Sequence, residues 1–158
     1  MKPGAFKFFM NLYPLYFGTG GKILHISPDW KKVKLQLSLN LWTRNYVGTI
    51  FGGSMFSASD PFYMIMFIQN MGPDFVVWDK AATITFKRPG KGRLTADFEI
   101  TDEEIEMMKR RVLEKNEDEL VKVVSWKDDQ GKVVSEVERV LYFATKEFYK
   151  QKRERKAK

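Results

Sequence analysis

The sequence predicts an α+β fold in which an antiparallel sheet is wrapped around one central, buried helix. Residues 33–41 alternate between apolar and polar side chains, which is typical of a strand with one buried face. Residues 61–68 are apolar on every side, which does not suit a helix facing solvent. Residues 120–126 and 133–145 indicate two further strands joined by a turn at 128–131. A sheet and a helix of this kind bury each other.

Length and composition fit one folded domain. The chain has 158 residues, of which 44% are hydrophobic and 15% aromatic. We assign residues 1–21 to an N-terminal helical segment packed on the domain, 22–145 to the domain and 146–158 to a basic C-terminal tail. The chain has no cysteine and a single histidine, His25, which excludes disulfides and argues against a zinc site or a Ser-His-Asp triad. We therefore expect no metal.

The net charge of +7 is unevenly placed. Residues 146–158 contain seven Lys/Arg and two Glu, so this tail carries +5 and the rest of the chain +2. We interpret the tail as a solvated, frayed terminus and expect no nucleic-acid partner. Attraction to nucleic acid or to an anionic membrane remains the alternative interpretation.

The first residues are rich in aromatic side chains. Their helical spacing predicts a short amphipathic helix packed on the domain, with the apolar positions Phe6, Phe9, Met10, Tyr13 and Phe17. Lys7, Pro14 and several glycines interrupt the apolar run before the ~20 residues that a membrane span needs. We expect a cytoplasmic protein without a membrane span or a secretory signal.

The remaining elements follow in chain order. Strands are predicted at 22–27 and 33–41, then the central helix, then a hairpin formed by strands 76–87 and 94–100 around a turn at 88–92. Thr101 and Glu104 form a capping-box pattern, which predicts a peripheral helix over 101–114. The hairpin of residues 120–145 completes the sheet.

The stretch from Asn45 to Met71 carries the chemistry. Gly52-Gly53 at a helix start leaves bare backbone N–H groups, where the helix dipole also favours negative charge. Asp60 is the only carboxylate in this stretch. Pro61 would remove a hydrogen bond in mid-helix, so we predict either a kink at Asp60-Pro61 or a new helix that starts there with Asp60 near its cap.

Two motifs in this order resemble the hotdog-fold acyl-CoA thioesterases of the phenylacetate-degradation type. The first is Asn45, then Phe51-Gly52-Gly53, then Asp60, at the family's spacing of Asn, His-Gly-Gly and a catalytic acid. The second is the family's Ile-x-Phe-x-Arg-Pro-Gly-x-Gly-x-Leu-Thr-Ala run, which stands here as residues 84–96. The chain is most similar to a bacterial subgroup known only as a domain of unknown function.

This resemblance implies a hotdog fold and hydrolysis of a medium-chain, long-chain or aromatic acyl-CoA at a subunit interface. The Gly53 N–H would polarise the carbonyl, Asp60 would be general base or nucleophile, and Asn45 would position water or support the loop. The acid usually comes from the opposite subunit, which implies a homodimer or homotetramer. Coenzyme A is then part of the substrate, and no other cofactor is expected. The implied substrate-binding residues are Phe51, Gly52, Ser54, Phe56, Arg88, Lys91 and Arg93.

The chain departs from the family pattern at two positions. Phe51 replaces the family histidine, and Pro61 follows the acid where a hydroxyl residue is usual. Other interpretations therefore remain open: Asp60 as a helix cap, Gly52-Gly53 as a packing point, Asn45 as a structural residue and the basic turn as solvated. The alternative function is a non-catalytic hotdog protein that binds acyl-CoA or lipid.

Overall fold

The computed structural model of the chain describes residues 1–156. Six strands form one antiparallel sheet in the order β1-β2-β4-β5-β6-β3. The strands are β1 (Gly21–Ile26), β2 (Lys32–Ser38), β3 (Phe75–Phe86), β4 (Arg93–Glu99), β5 (Glu117–Asp128) and β6 (Val133–Thr145). The helices are α1 (Pro3–Leu12), α2 (Pro14–Gly18), α3 (Gly52–Ala58), α4 (Phe62–Met71), α5 (Asp102–Lys115) and α6 (Lys146–Lys156).

Helix α4 supplies the centre of the core, as the apolar run at 61–68 predicts. Phe67 and Phe143 of β6 meet edge to face with ring centroids 5.1 Å apart, and Tyr63 lies 4.9 Å from Phe98 of β4. Both contacts are between rings that are almost completely buried. The predicted α+β architecture, a sheet packed around one buried helix, is confirmed.

The central helix is broken where Pro61 predicts a break. Helix α3 ends at Ala58 and α4 begins at Phe62, with Pro61 as its N-cap residue. No side chain caps α4, so the interpretation of Asp60 as a helix cap is wrong. Asp60 lies in the turn between the two helices, and its carboxylate is free to bind elsewhere.

The predicted hairpin between strands 76–87 and 94–100 is wrong. Strand β3 pairs with β6, with Ile84 opposite Val137, and makes no ladder with β4. Strand β4 lies between β2 and β5, so that Ala96 has Leu35 on one side and Trp126 on the other. The 12-residue strand β3 is consequently one edge of the sheet.

Strand β2 is shorter than its alternating pattern predicts. It ends at Ser38, and Leu41 is 91% exposed rather than buried. The buried hydroxyl of Thr43 donates to the carbonyl of Ser38 at 2.6 Å, and the amide oxygen of Asn40 accepts from the N–H of Trp42 at 2.8 Å. These bonds satisfy the backbone in a turn, so the chain leaves the sheet before Leu41.

The N-terminal segment forms two helices instead of the single one predicted, because Pro14 starts a new helix. The amide of Asn11 bonds both the N–H and the carbonyl of Ile23, at 2.8 and 3.1 Å, and Lys7 donates to the carbonyl of Leu24 at 2.6 Å. Helix α1 therefore covers the β1 edge of the sheet. Within residues 1–156, no helix is both long and apolar enough to cross a membrane.

The basic tail is a helix over residues 146–156 and not a frayed terminus; residues 157–158 lie outside the described part of the chain. Lys152 and the hydroxyl of Tyr142 both bond the carboxylate of Glu117 on β5. Two hydrogen bonds hold the pKa of Glu117 below its ordinary value: the one from Lys152 has the larger effect, and the one from Tyr142 the smaller. These contacts fix α6 to the sheet.

Candidate active site

Asp60 is held by an arginine from the opposite side of the core. Arg139 of β6 is only 2% exposed, and its Nη1 donates to Oδ1 of Asp60 at 2.5 Å. Its Nη2 donates to the carbonyl of Phe56 at 3.0 Å, and the guanidinium lies 4.8 Å from the centre of the Phe56 ring. The side chain of Asp60 is itself 58% exposed. The buried guanidinium of Arg139 therefore orients the Asp60 carboxylate, while the rest of the Asp60 side chain remains exposed to solvent.

Arg139 is not among the predicted site residues, although its position in the sequence carries a signal. Val137, Leu141 and Phe143 are buried on one face of β6 at a spacing of two residues, and Arg139 falls in the same series. A single charged residue among buried apolar positions of a strand needs a partner, because burying an unpaired charge is costly. The alternation thus indicates that Arg139 meets a carboxylate inside the fold.

A second carboxylate, Asp79 on β3, lies near this pair. Burial raises its pKa from 3.8 to about 6; the attraction of Arg139 opposes that rise and the charge of Asp60 adds to it. Within residues 1–156, Oδ1 of Asp79 and Nε of Arg139 are buried without hydrogen-bond partners. The neighbouring Lys80 does not pair with Asp79: the strand register shifts between Asp79 and Ala81, and Lys80 pairs with Glu119 of β5.

Both glycines of the pair lie against aromatic rings. A Cβ on Gly52 would lie 2.5 Å from the ring of Phe86, and a Cβ on Gly53 would clash with the ring of Phe51. The interpretation of this pair as a packing point therefore has a physical basis. A side chain at either position would have to displace a ring, which explains why glycine suits both.

The backbone at these glycines remains available for binding. Phe51 is the N-cap of α3, and its carbonyl accepts from the N–H of Ser54 at 3.0 Å. Within residues 1–156, the N–H groups of Gly52 and Gly53 donate no hydrogen bond. Unsatisfied donors at a helix start, reinforced by the helix dipole, form a site for an oxygen that carries negative charge.

A cavity of about 700 Å³, which we call the Gly53 cavity, brings the glycine and the acid together. Helices α1 and α2 form one wall, and α3 with the turn after it forms the other. The lining is mostly apolar and aromatic: Met10, Tyr13, Pro14, Leu15, Tyr16, Gly18, Thr19, Trp42, Phe51, Gly53, Ser54, Phe56, Ser57, Asp60 and Pro61. Gly53 and Asp60 therefore line one largely apolar cavity, which suits a reaction at the polar end of an apolar chain.

A second cavity of about 720 Å³, the Arg88 cavity, lies on the other side of Phe51. Its lining includes Asn45, Gly52 and Arg88, together with Tyr46, Val47, Thr49, Ile50, Phe51, Met55, Phe86, Lys87, Pro89 and Gly90. Phe51 is the one residue that lines both cavities, and its side chain is 55% exposed. Phe51 thus separates a carboxylate-bearing cavity from one with basic residues.

Comparison with known proteins decides the family. The model of a family described as a domain of unknown function, DUF4442, matches residues 4–143. The chain belongs to the DUF4442 family. No curated protein matches it at a significant level.

Solved structures with the same architecture as this DUF4442 protein include several named thioesterases. A Pseudomonas aeruginosa protein of unknown function, described as a probable thioesterase, is 19% identical with a TM-score of 0.79, over 92% of this chain and 97% of that one. A Haemophilus influenzae thioesterase is 10% identical with a TM-score of 0.66, over 92% of each chain. A mutant of a Staphylococcus aureus thioesterase is 14% identical with a TM-score of 0.59, over 82% and 98%. The DUF4442 chain shares their hotdog fold.

Several predicted site residues of the DUF4442 protein line the two cavities. Gly53, Ser54, Phe56 and Asp60 line the Gly53 cavity, and Gly52 and Arg88 line the Arg88 cavity. Within residues 1–156, no group of three or more His, Cys, Asp or Glu side chains is placed to hold a metal ion. The two halves of the predicted site are therefore adjacent but distinct.

Asn45, Lys91 and Arg93 stand apart from the acid. The amide of Asn45 accepts from the N–H groups of Val47 and Thr49 at 3.1 and 3.0 Å and donates to the hydroxyl of Thr49 at 2.9 Å. These bonds hold its own loop, which favours the structural interpretation of Asn45. Arg93 donates to Asp129 at 2.9 Å, and the side chain of Lys91 is exposed. Neither basic residue lines the cavity that contains Asp60.

Proposed function

We propose that this DUF4442 protein is an acyl-CoA thioesterase that hydrolyses medium-chain, long-chain or aromatic acyl thioesters. One observation carries the proposal: Gly53, whose N–H donates to no other group in residues 1–156, lines the same apolar cavity as Asp60. A thioester carbonyl needs a fixed donor for its oxygen and a base for the attacking water. Each subunit supplies one group of each kind, beside an apolar cavity with space for an acyl chain.

The proposed reaction begins when water attacks the carbonyl carbon and Asp60 accepts its proton. Negative charge then develops on the carbonyl oxygen, and the Gly53 N–H stabilises it without rearranging; such a donor contributes ~2.7–4 kcal/mol in other enzymes. The carbon–sulfur bond breaks, and the thiolate of coenzyme A leaves and takes up a proton. A direct attack by Asp60, through an anhydride that water then hydrolyses, uses the same two groups.

We propose that two subunits share each site. Gly53 and Asp60 are seven residues apart along the α3 segment, so their backbones are separated by roughly 10 Å at the helical rise of 1.5 Å per residue. That separation is long for two groups acting on one carbonyl. The Gly53 N–H of one subunit would therefore work with Asp60 of a second subunit, as the resemblance implies.

The open edge of the sheet offers a route to such a dimer. Helix α1 covers the β1 edge through Asn11 and Lys7, whereas β3 is an edge strand of 12 residues. Antiparallel pairing of β3 with its copy would satisfy the free backbone groups of both strands. The face of α3 and the loop near Phe86 would then lie beside this interface.

The placement of the substrate follows from the two cavities. The Gly53 cavity has the apolar and aromatic lining that an acyl chain requires. Arg88 and Lys87 line the Arg88 cavity and would meet the phosphates of coenzyme A. Phe51 lies between the two cavities, where the thioester group would pass.

A second candidate is an acyl-CoA-binding protein without hydrolytic activity. The ring of Phe51 packs against Gly53, and one oxygen of Asp60 is already bonded to Arg139. Both contacts restrict the groups that would do the chemistry. This candidate predicts that acyl-CoA stabilises the protein against heat but is not cleaved.

Release of free thiol from short, medium, long and aromatic acyl-CoAs separates the two candidates. We expect turnover by the wild type and a rate reduced about 100-fold or more in Asp60→Asn, because general base catalysis contributes 10²–10⁴-fold. The asparagine retains an oxygen for Arg139, so the fold is preserved. Asp97→Asn is the matched control, since Asp97 is 64% exposed and paired with Lys34.

The outcomes are distinct. Turnover by the wild type and by Asp97→Asn, with loss in Asp60→Asn, supports the thioesterase. Equal turnover in Asp60→Asn removes Asp60 from the mechanism. Thermal stabilisation by an acyl-CoA without thiol release supports the binding protein instead.

A further inference from the structure

Helix α1 is apolar on its outer side as well as on the side that packs Phe6 and Met10 against the core. Its polar residues Lys7 and Asn11 face inward and bond the backbone of β1. Its outward face is apolar: Phe8, Phe9 and Leu12 are each 61–63% exposed, at helical spacing. A surface helix normally has polar residues on its outer side, so α1 differs in presenting an apolar stripe to its surroundings.

The apolar stripe continues beyond α1. Leu15 and Phe17 on α2 are 75% and 68% exposed, and Trp42, in the turn after β2, is 92% exposed. Leu15 and Trp42 line the Gly53 cavity, and Phe17 and Trp42 line a neighbouring depression. We call the set of Phe8, Phe9, Leu12, Leu15, Phe17 and Trp42 the N-terminal apolar surface. Contiguous exposed apolar surfaces of this kind mark interaction sites.

The charge around this surface is positive. Residues 1–59 contain seven Lys/Arg and a single acid, Asp29, and thus carry +6 along the chain, although Lys31, Lys32 and Lys34 pair with acids of the later chain. Residues 60–145 contain 13 Lys/Arg and 17 Asp/Glu and carry −4. When residues 1–145 are counted together, this negative charge offsets most of the positive charge of residues 1–59. The excess of positive charge is therefore not confined to the C-terminal tail. Lys2, Lys22 and Arg44 are exposed among the residues that flank the apolar surface.

We propose that the N-terminal apolar surface docks on an anionic lipid bilayer. Exposed aromatic and aliphatic side chains with flanking basic residues are the combination that holds a helix in the interfacial plane of a membrane. A second copy of the chain is a poorer fit, because two surfaces that both carry this positive charge would repel each other. The surface also borders β1, at the opposite edge of the sheet from β3.

The docking places the mouth of the Gly53 cavity on the membrane, since Leu15 and Trp42 belong to both. This consequence rests on the proposed function: an acyl chain that partitions into lipid would enter the cavity directly from the bilayer. The docking itself requires no catalytic activity. It can therefore be tested independently of the thioesterase proposal.

Co-sedimentation of the full chain with vesicles tests the docking. Vesicles of phosphatidylcholine alone are compared with vesicles that contain phosphatidylglycerol as well. We expect the wild type to bind the anionic vesicles, and Phe9→Ser/Leu12→Ser to weaken binding by about tenfold or more, because two apolar side chains leave the lipid. Leu113→Ser is the matched control, since Leu113 is a 67% exposed leucine on α5, away from this surface.

Each outcome decides the proposal. Binding that requires anionic lipid, is lost in the double variant and is retained in Leu113→Ser and Asp60→Asn supports it. Failure of the wild type to bind, or equal loss in Leu113→Ser, overturns it. Concentration-dependent self-association that disappears in Phe9→Ser/Leu12→Ser, without vesicle binding, shows that a second copy covers the surface and also overturns it. Vesicle binding without thiol release would reject only the proposed function.

Discussion

At the scale of single residues, the candidate site is built around one buried cation, Arg139. Arg139 is almost completely buried and bonds Asp60, while Asp79 lies close enough for the two carboxylates to affect each other electrostatically. One buried positive charge therefore faces two carboxylates, of which Asp60 is largely exposed and Asp79 is partly buried. Such an arrangement fixes the orientation of Asp60, because buried charges retain only those geometries in which they are paired.

The raised pKa of Asp79 makes the stability of the protein depend on pH. Because its folded-state pKa of about 6 exceeds the ordinary value of 3.8, folding favours the neutral carboxyl. This contribution is fully present below pH 3.8 and is lost as the pH rises through about 6. Asp79→Asn resembles the neutral form, so we expect it to unfold at higher urea than the wild type above pH 6.

Urea unfolding at pH 4, 5, 6 and 7 would measure this difference. The gain of Asp79→Asn over the wild type should grow from pH 4 to pH 6 and level off between pH 6 and pH 7. Asp97→Asn provides the control, since Asp97 is an exposed carboxylate paired with Lys34. A gain for Asp79→Asn that is the same at every pH would contradict the account.

At the scale of elements, the N-terminal helix depends on one amide. The side-chain amide of Asn11 accepts a hydrogen bond from the N–H of Ile23 and donates one to its carbonyl, at the β1 edge of the sheet. Ile23 is fully buried. Asn11→Ala leaves both backbone groups without these bonds. We expect a loss of about 2 kcal/mol in the free energy of unfolding, from the cost of unsatisfied buried polar groups.

Chemical denaturation of Asn11→Ala beside Gln130→Ala would check this value. Gln130 is an exposed amide in the turn between β5 and β6. Its truncation should change stability by less than about 0.5 kcal/mol. Equal stability of the two variants would show that Asn11 does not hold α1 on the sheet.

Local signals in the sequence predict most elements. The capping box places the start of α5, where the hydroxyl of Thr101 accepts from the N–H of Glu104 at 3.2 Å. The Asp60-Pro61 step marks the break between α3 and α4. Each of these depends on neighbours in the chain, so sequence alone suffices to find it.

Strand partners and buried ion pairs are set by contacts between distant residues. The alternation in β3 and β4 predicts two strands, but the turn between them does not determine which strands they join. The pair of Arg139 and Asp60 joins residues 79 positions apart. The sequence therefore predicts Asp60 and Gly53 but not the cation that orients Asp60.

At the scale of the whole molecule, residues 1–156 leave the β3 edge and the N-terminal apolar surface exposed, and we assign each a role. The β3 edge would join a second subunit, and the N-terminal apolar surface would meet a lipid bilayer. The Gly53 cavity lies next to the second of these surfaces. In this account, an acyl chain enters from the membrane side and its thioester is cleaved between two subunits.

The central claim is that each site combines the Gly53 N–H of one subunit with Asp60 of the other. It can be tested by mixing two inactive variants, Asp60→Asn and Gly53→Pro. Proline removes the N–H and is tolerated in the first turn of a helix, and the exposed ring of Phe51 can turn away from it.

The decisive measurement is the rate of thiol release after the two variants have been unfolded together and refolded as a mixture. A heterodimer would contain one intact site and one site lacking both groups, so random pairing of equal amounts should restore about a quarter of the wild-type rate. Each variant refolded alone should remain inactive. A mixture that stays as inactive as its components would contradict a site shared between subunits.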